Sequence, residues 1–312
     1  MKNRNSQLLF LVVLTFSAPI AYSQTTSAQH SPTRQPTSLS GAKSEVYKVV
    51  GATQLMLHIF EPSGLKNGDR RPAIVFFFGG GWVTGTVNQF APQSKYLAER
   101  GMVAVVADYR VYQRHGVTPF ECVADAKSAI RWLRSHASDF NIDDKRIVAG
   151  GGSSGGHLAA SAALLKGFDE KNEDLKVSSI PNALVLFNPV LDMAMLKTAT
   201  ADVIARTGNW LKGDWVKSVA EISPILNVRK DAPPTIIFHG TADEVVPFEQ
   251  ATRFCELMKK QGNRCEIIPF EGRRHAFFNY GDGNNPYYRE TLRKADEFLI
   301  SIGYLKGEPT IK

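Results

Sequence analysis

Three cysteines in 312 residues give little scope for thiolate metal binding: Cys122, Cys255 and Cys265 form no Cys-x-x-Cys pair. No His-Glu-x-x-His segment occurs, so a helical zinc site of that kind is excluded, and the expectation is neither metal nor cofactor. No glycine-rich loop ends in Lys-Ser or Lys-Thr, which excludes a phosphate loop. Like charges nowhere form a block. The formal net charge of +7, from 37 basic and 30 acidic residues, is therefore read as a solvated surface, with no nucleic-acid partner. No apolar run is long enough to span a bilayer comfortably, and no internal repeat is visible.

What is present begins with a tripartite amino terminus. Two cations in Met1-Lys2-Asn3-Arg4 precede an apolar run from Leu8 to Phe16, and Ala21-Tyr22-Ser23 offers small residues for cleavage. This is the layout of a secretory signal peptide over residues 1–23, implying a secreted or periplasmic protein with no membrane anchor after cleavage. Residues 24–43, rich in Ser, Thr, Gln and Pro, are expected to be a disordered lead-in. Order is expected from Ser44, with one catalytic domain over 44–312. Export brings oxidising conditions, in which Cys255, late in a predicted helix, and Cys265, opening the next predicted strand, are expected to pair; Cys122 is expected to be a buried thiol.

Short apolar runs punctuate the domain: Glu45–Val50, Leu55–Phe60, Ala73–Phe78, Met102–Ala107, Arg146–Ala149, Ala183–Phe187, Thr235–Phe238 and Cys265–Pro269. Their length and β-branched content suit buried strands. Helical periodicity fills the intervals at Ala91–Arg100, Phe120–Ala137, Leu158–Leu165, Pro247–Lys260 and Tyr287–Ile302. The alternation predicts an α/β fold: an eight-stranded, mostly parallel sheet with helices on both faces and an antiparallel edge made by the first two strands. Residues 191–222 lack strand patterning and are read as a small helical, cap-like insertion. Ligands of such sheets lie beyond the carboxyl ends of the strands, so the loops that follow strands are where function is sought.

Arg146-Ile147-Val148-Ala149 leads into Gly150-Gly151-Gly152-Ser153-Ser154-Gly155-Gly156-His157, and a helix former follows. A strand turning sharply into a helix through Gly-x-Ser-x-Gly is the context of a nucleophile elbow. Two serines fit, and the glycines alone do not choose between them. Ser154 is taken as the nucleophile because its register leaves the fuller turn before the helix. Three further loops gather around this stretch. Phe78-Gly79-Gly80-Gly81-Trp82 follows a strand with bare backbone that can aim N–H groups at an oxyanion. Asp243, with Glu244 as a competing acid, follows the strand ending at Phe238, and His275 follows the last strand. The order Ser154, Asp243, His275 is that of α/β-hydrolase triads.

On these residues the chain resembles the α/β-hydrolase superfamily over about Ser44 to Gly303. It is similar to secreted esterases related to the hormone-sensitive-lipase group and to bacterial carbohydrate and feruloyl esterases. That group's Gly-Asp-Ser-Ala-Gly-Gly-His is matched by Gly152-Ser153-Ser154-Gly155-Gly156-His157, with Gly155 in place of alanine, a register that again points to Ser154. Its His-Gly-Gly-Gly becomes Phe78-Gly79-Gly80-Gly81, and its strand-end Asp-Tyr-Arg is Asp108-Tyr109-Arg110. The resemblance implies oxyanion donors at Gly80, Gly81 and Gly155. It leaves open how the loop is braced, because Phe78 cannot make the hydrogen bonds of the family's histidine.

The implied chemistry is acyl transfer through an acyl-enzyme on Ser154, with His275 as base and Asp243 orienting it. The expected partner is a small-molecule or oligosaccharide ester. Trp82, Trp210 and Trp215 are candidate substrate-binding residues, since flat aromatic faces suit sugar rings, and core packing is the competing reading for each. The small cap and the export signal favour short acyl, acetyl-type, esters of carbohydrate or aromatic alcohols. A lipase or lactonase, a serine peptidase of the same fold, and an inactive hydrolase-fold binding module are the alternatives.

Overall fold

In the computed structural model, residues 35–66, 68–198, 210–281 and 285–311 are described. Eight strands form one sheet: β1 (Lys43–Val50), β2 (Thr53–Phe60), β3 (Arg71–Phe77), β4 (Val103–Ala107), β5 (Ile142–Gly152), β6 (Ala183–Phe187), β7 (Thr235–Gly240) and β8 (Cys265–Phe270). Their spatial order is β1-β2-β4-β3-β5-β6-β7-β8. The β1–β2 and β2–β4 pairings are antiparallel and all others are parallel, as the alternation of strands and helices predicts. Every residue of β4, β6 and β7 is buried, which explains why these runs are continuously apolar rather than alternating.

Among the described residues, six α-helices accompany the sheet: α1 (Ala91–Glu99), the single turn α2 (Tyr112–His115), α3 (Pro119–Ser135), α4 (Ser154–Leu164), α5 (Phe248–Lys260) and α6 (Pro286–Ser301). Pro119 opens α3 and Thr118 and Glu121 form its reciprocal cap, which satisfies two amino-terminal N–H groups. Helix α4 is different. All eleven of its residues are buried, so it reads as small and apolar on every side. It is the helix whose amino terminus abuts the functional site. No helix among the described residues is long and apolar enough to cross a membrane.

Among the described residues, the insertion expected over 191–222 contains 3-10 turns at Met193–Thr198, Trp210–Lys212 and Asp214–Ile222. Residues 199–209 lie outside the described residues, as do the expected signal peptide and the lead-in up to residue 34. The rest of the lead-in corrects the expectation of disorder up to residue 43. Leu39 is buried, and the Gln35 amide donates to Asp108 Oδ1 over 2.8 Å and accepts from the Val87 N–H over 3.1 Å. The polar composition of this stretch hid a segment that is held by the Gln35 hydrogen bonds together with burial of Leu39. Cys255 on α5 and Cys265 on β8 form a disulfide with a Cα–Cα distance of 5.3 Å, and Cys122 is a buried thiol.

Candidate active site

The site is built where β5 runs into α4. A Cβ added to Gly151 would lie 2.5 Å from the backbone of Gly155, and one added to Gly155 would lie 2.0 Å from Phe77 O. Strand, helix and the neighbouring β3 therefore meet backbone to backbone, which only glycine permits. Between them Ser153 adopts φ 54° and ψ −120°, a sparsely populated conformation for a residue with a side chain. The turn is locked by hydrogen bonds. The Ser153 N–H donates to Phe187 O over 2.9 Å, and its carbonyl accepts from the His157 N–H (3.0 Å) and the Val190 N–H (3.2 Å).

The apex of the elbow is thus Ser153, and this corrects the choice of Ser154. Ser153 Oγ lies 3.0 Å from His275 Nε2, whereas Ser154 is the fully buried first residue of α4. The helix begins one residue earlier than the fuller-turn argument assumes, so that argument misplaces the strained residue. The assignment of Gly155 as an oxyanion donor shifts with it. Gly155 serves the close crossing with β3, and the residue after the apex, whose N–H faces an oxyanion in such elbows, is Ser154.

His275 and Asp243 fall where the sequence places them, in the loops after β8 and β7. His275 Nδ1 lies 2.8 Å from Asp243 Oδ2, which fixes the tautomer with Nδ1 donating to the carboxylate and Nε2 accepting from Ser153. Asp243 Oδ1 accepts from the Val245 and Val246 N–H groups, each over 2.9 Å. The buried His239 adds a second imidazole, its Nε2 lying 3.3 Å from Asp243 Oδ2 and 2.9 Å from Val246 O. Burial by itself would raise the Asp243 pKa, but the hydrogen bonds from His239 and His275 outweigh it and hold the carboxyl far below the usual range. Asp243 is therefore ionised throughout the neutral range. Glu244, the competing acid, is exposed and pairs with Arg274. Asn188, buried just beyond β6, accepts the Ala276 N–H over 3.1 Å and so pins the residue next to His275.

The glycine loop after β3 is braced without the family's histidine. Phe78 stacks on Tyr109 at 4.1 Å between centroids, and the Tyr109 hydroxyl donates to Phe78 O over 2.7 Å. Gln89 Oε1 accepts the Gly79 N–H over 2.6 Å, so that N–H is spent on the brace and the next two, at Gly80 and Gly81, are the ones that can serve a ligand. Gly80 has φ 132°, and a Cβ there would lie 2.3 Å from Thr84 O, so a side chain would break the loop's tight return. Gln89 and Asn188 carry no motif in the sequence. Their roles depend on contacts across the sheet that spacing does not reveal.

Of the three tryptophans considered as substrate-binding residues, Trp82 and Trp210 are buried, and their indoles are already occupied. Trp82 Nε1 donates to His157 Nδ1 over 3.2 Å, and Trp210 Nε1 donates to Val117 O over 3.0 Å. These two pack the structure rather than present a face to substrate, which corrects that expectation. Trp215 is half-buried against Trp210, its Nε1 donating to Trp210 O over 3.0 Å.

Similar proteins carry the same architecture. The chain is 31% identical over 253 residues to the probable carboxylic ester hydrolase LipM of Mycobacterium tuberculosis, covering 74% of this chain and 54% of that protein. It is 32% identical over 219 residues to esterase LipC of the same organism, covering 66% and 53%. The chain thus spans about half the length of the curated relatives it matches. Among solved structures it is similar to Thermogutta terrifontis esterase 2 phosphorylated by paraoxon, at 50% identity over 86% of this chain and 97% of that one, with a TM-score of 0.77. The butyrate-bound form of that esterase gives the same values. The BD-FAE family model matches residues 57–258, which span β2 to α5 and include the glycine loop, the elbow and Asp243, and the chain belongs to the BD-FAE family of α/β-hydrolase-fold proteins.

Proposed function

We propose that this protein is a serine carboxylic-ester hydrolase that acts on short acyl esters, exported from the cytoplasm. The observation that carries the reading is the unbroken line from Asp243 through His275 to Ser153, at 2.8 and 3.0 Å. In the reading, Ser153 Oγ attacks the ester carbonyl carbon while His275 Nε2 takes its proton. The N–H groups of Gly80, Gly81 and Ser154 hold the oxyanion; loss of one such donor typically costs about 10²–10³-fold in turnover. Collapse breaks the ester C–O bond, and His275 returns the proton to the departing alcohol. Water, deprotonated by His275, then attacks the acyl-enzyme, releasing the acid and restoring Ser153. Asp243 keeps its charge throughout and stabilises the imidazolium.

Three points support the finer parts. The similar esterase from Thermogutta terrifontis has been solved phosphorylated by paraoxon, a reaction suited to an activated hydroxyl, and with propionate or butyrate bound, both short acids. The small size of the insertion over residues 191–222 suits open access for a carbohydrate or aromatic alcohol. The Cys255–Cys265 disulfide suits an oxidising compartment, as the leader-like residues 1–23 do.

The test is kcat/KM across acetyl, propionyl, butyryl, octanoyl and feruloyl esters and acetylated oligosaccharides, together with paraoxon labelling. Short acyl esters should lead, and the label should sit on Ser153. A preference for octanoyl esters would make the protein lipase-like. Peptide cleavage without ester cleavage would reject the reading, and neither turnover nor labelling would make the protein a binding module.

A further inference from the structure

The Gln89 side-chain amide joins the glycine loop to the histidine loop. Gln89 sits in the 3-10 turn Val87–Phe90, which is anchored to the core. Phe90 stacks on Phe76 at 4.8 Å and packs against Phe278 at 5.7 Å, while the Val87 N–H is held by Gln35 Oε1. From this fixed turn, Gln89 Oε1 accepts the Gly79 N–H over 2.6 Å and Gln89 Nε2 donates to Asn279 Oδ1 over 2.9 Å. The amide orientation is dictated by chemistry, because a backbone N–H can face only the oxygen.

Both ends of this bridge lie beside reacting groups. A Cβ added to Gly79 would be 3.0 Å from Gly152 O and 3.4 Å from the Ser153 Cβ, so Gly79 packs against the apex itself. It immediately precedes Gly80 and Gly81. Asn279 lies four residues after His275 in the same loop; its N–H donates to Ala276 O over 3.2 Å, and its carbonyl accepts from Asn285 Nδ2 over 2.7 Å. These bonds tie Asn279 to Ala276 and Asn285 within the histidine loop, and Gln89 joins Asn279 to the glycine loop.

We propose that Gln89, through Asn279, is a positioning residue that fixes the distance between the oxyanion N–H groups and His275. The proposal rests on the esterase reading. Neither side chain is required to touch substrate. An acyl-transfer site needs its base and its oxyanion donors in register at the same moment, and a displacement of about 1 Å can cost about 10²-fold in rate.

The experiment compares wild type with Asn279→Leu, Asn279→Ala and Asn279→Asp, using full-length protein and a butyryl ester. Leucine and alanine remove the acceptor while the Gly79 bond stays. Each should lower kcat by about 10–10²-fold with KM within about threefold, and should slow phosphorylation by paraoxon in parallel. Aspartate still accepts from Gln89 Nε2 and should restore kcat to within about threefold. An unchanged kcat in both the leucine and alanine variants, a rise in KM alone, or an aspartate variant as slow as the alanine one would overturn the proposal. A wild-type protein that cleaves no ester would instead defeat the esterase reading itself.

Discussion

Ser153 and Ser154 are neighbours in the chain with opposite fates. The first is lifted by its φ of 54° to within 3.0 Å of His275 Nε2, and the second is turned wholly into the interior at the start of α4. The division is made by the backbone. The last residue of the turn before helical geometry reaches His275, and the first helical residue is enclosed beside Tyr109.

Substituting the two serines should therefore separate them cleanly. Ser153→Ala should cut ester turnover by about 10⁴–10⁶-fold and abolish paraoxon labelling, with the thermal midpoint preserved. Ser154→Ala keeps the backbone N–H proposed for the oxyanion and introduces the alanine that the related motif carries after its serine. It should retain turnover within about threefold. The reverse pattern would return the nucleophile to Ser154.

Gly155→Ala should fail through packing rather than chemistry. The new methyl would lie 2.0 Å from Phe77 O and 2.4 Å from Phe78 O, both backbone atoms of β3 and its loop, so strand and helix must separate. A loss of about 3 kcal/mol or more in unfolding free energy is expected, measured by urea denaturation, with turnover falling only as the fold does. An alanine variant with wild-type stability but lost activity would restore Gly155 as a chemical participant.

The sheet was legible because each strand is a short apolar run buried on both faces and each helix separates two of them. Asp243 and His275 were legible because loops after parallel strands collect function. The choice between Ser153 and Ser154 was also available. Counted back from His157, the related Ser-Ala-Gly-Gly-His places its serine at 153, whereas counting from the first glycine slips the register by one. The tryptophans misled because residue type says nothing of direction: Trp82 has φ 60°, which sends its ring inward onto His157. Gln35, Gln89, Asn188 and Asn279 were invisible because an isolated amide has no pattern. Its value comes from partners as far as 190 residues away in sequence, as between Gln89 and Asn279.

Thiol counting on the unfolded protein should find one free thiol, that of Cys122, rising to three after reduction. The bridge closes a loop with a sequence separation of 10, so replacing Cys255 and Cys265 together by serine should cost about 2–3 kcal/mol. The disulfide fastens α5 to β8, the strand that delivers His275. Destabilisation should therefore be accompanied by faster hydrogen exchange in β8. Three thiols without reduction would refute the bridge.

His157 gives the fold an acid limb that can be measured. Its imidazole is fully buried behind the elbow, where Nδ1 accepts from Trp82 Nε1 and Nε2 donates to Ile222 O over 2.8 Å. It ties the glycine loop, α4 and the insertion together in its neutral form. Burial lowers its pKa to about 4, although the bond to Ile222 O pulls the other way. Because the folded value is depressed, the unfolded chain binds the extra proton first. Stability from this group is complete above about pH 6.5 and is lost as pH falls towards 4, by roughly 3 kcal/mol for a shift of this size. Wild type should therefore lose thermal midpoint steeply over that interval. His157→Gln retains an N–H donor but no titrating imidazole; it should start lower at pH 7 and lose distinctly less between pH 6.5 and 4. Parallel stability curves for the two proteins would show that His157 does not supply the acid sensitivity.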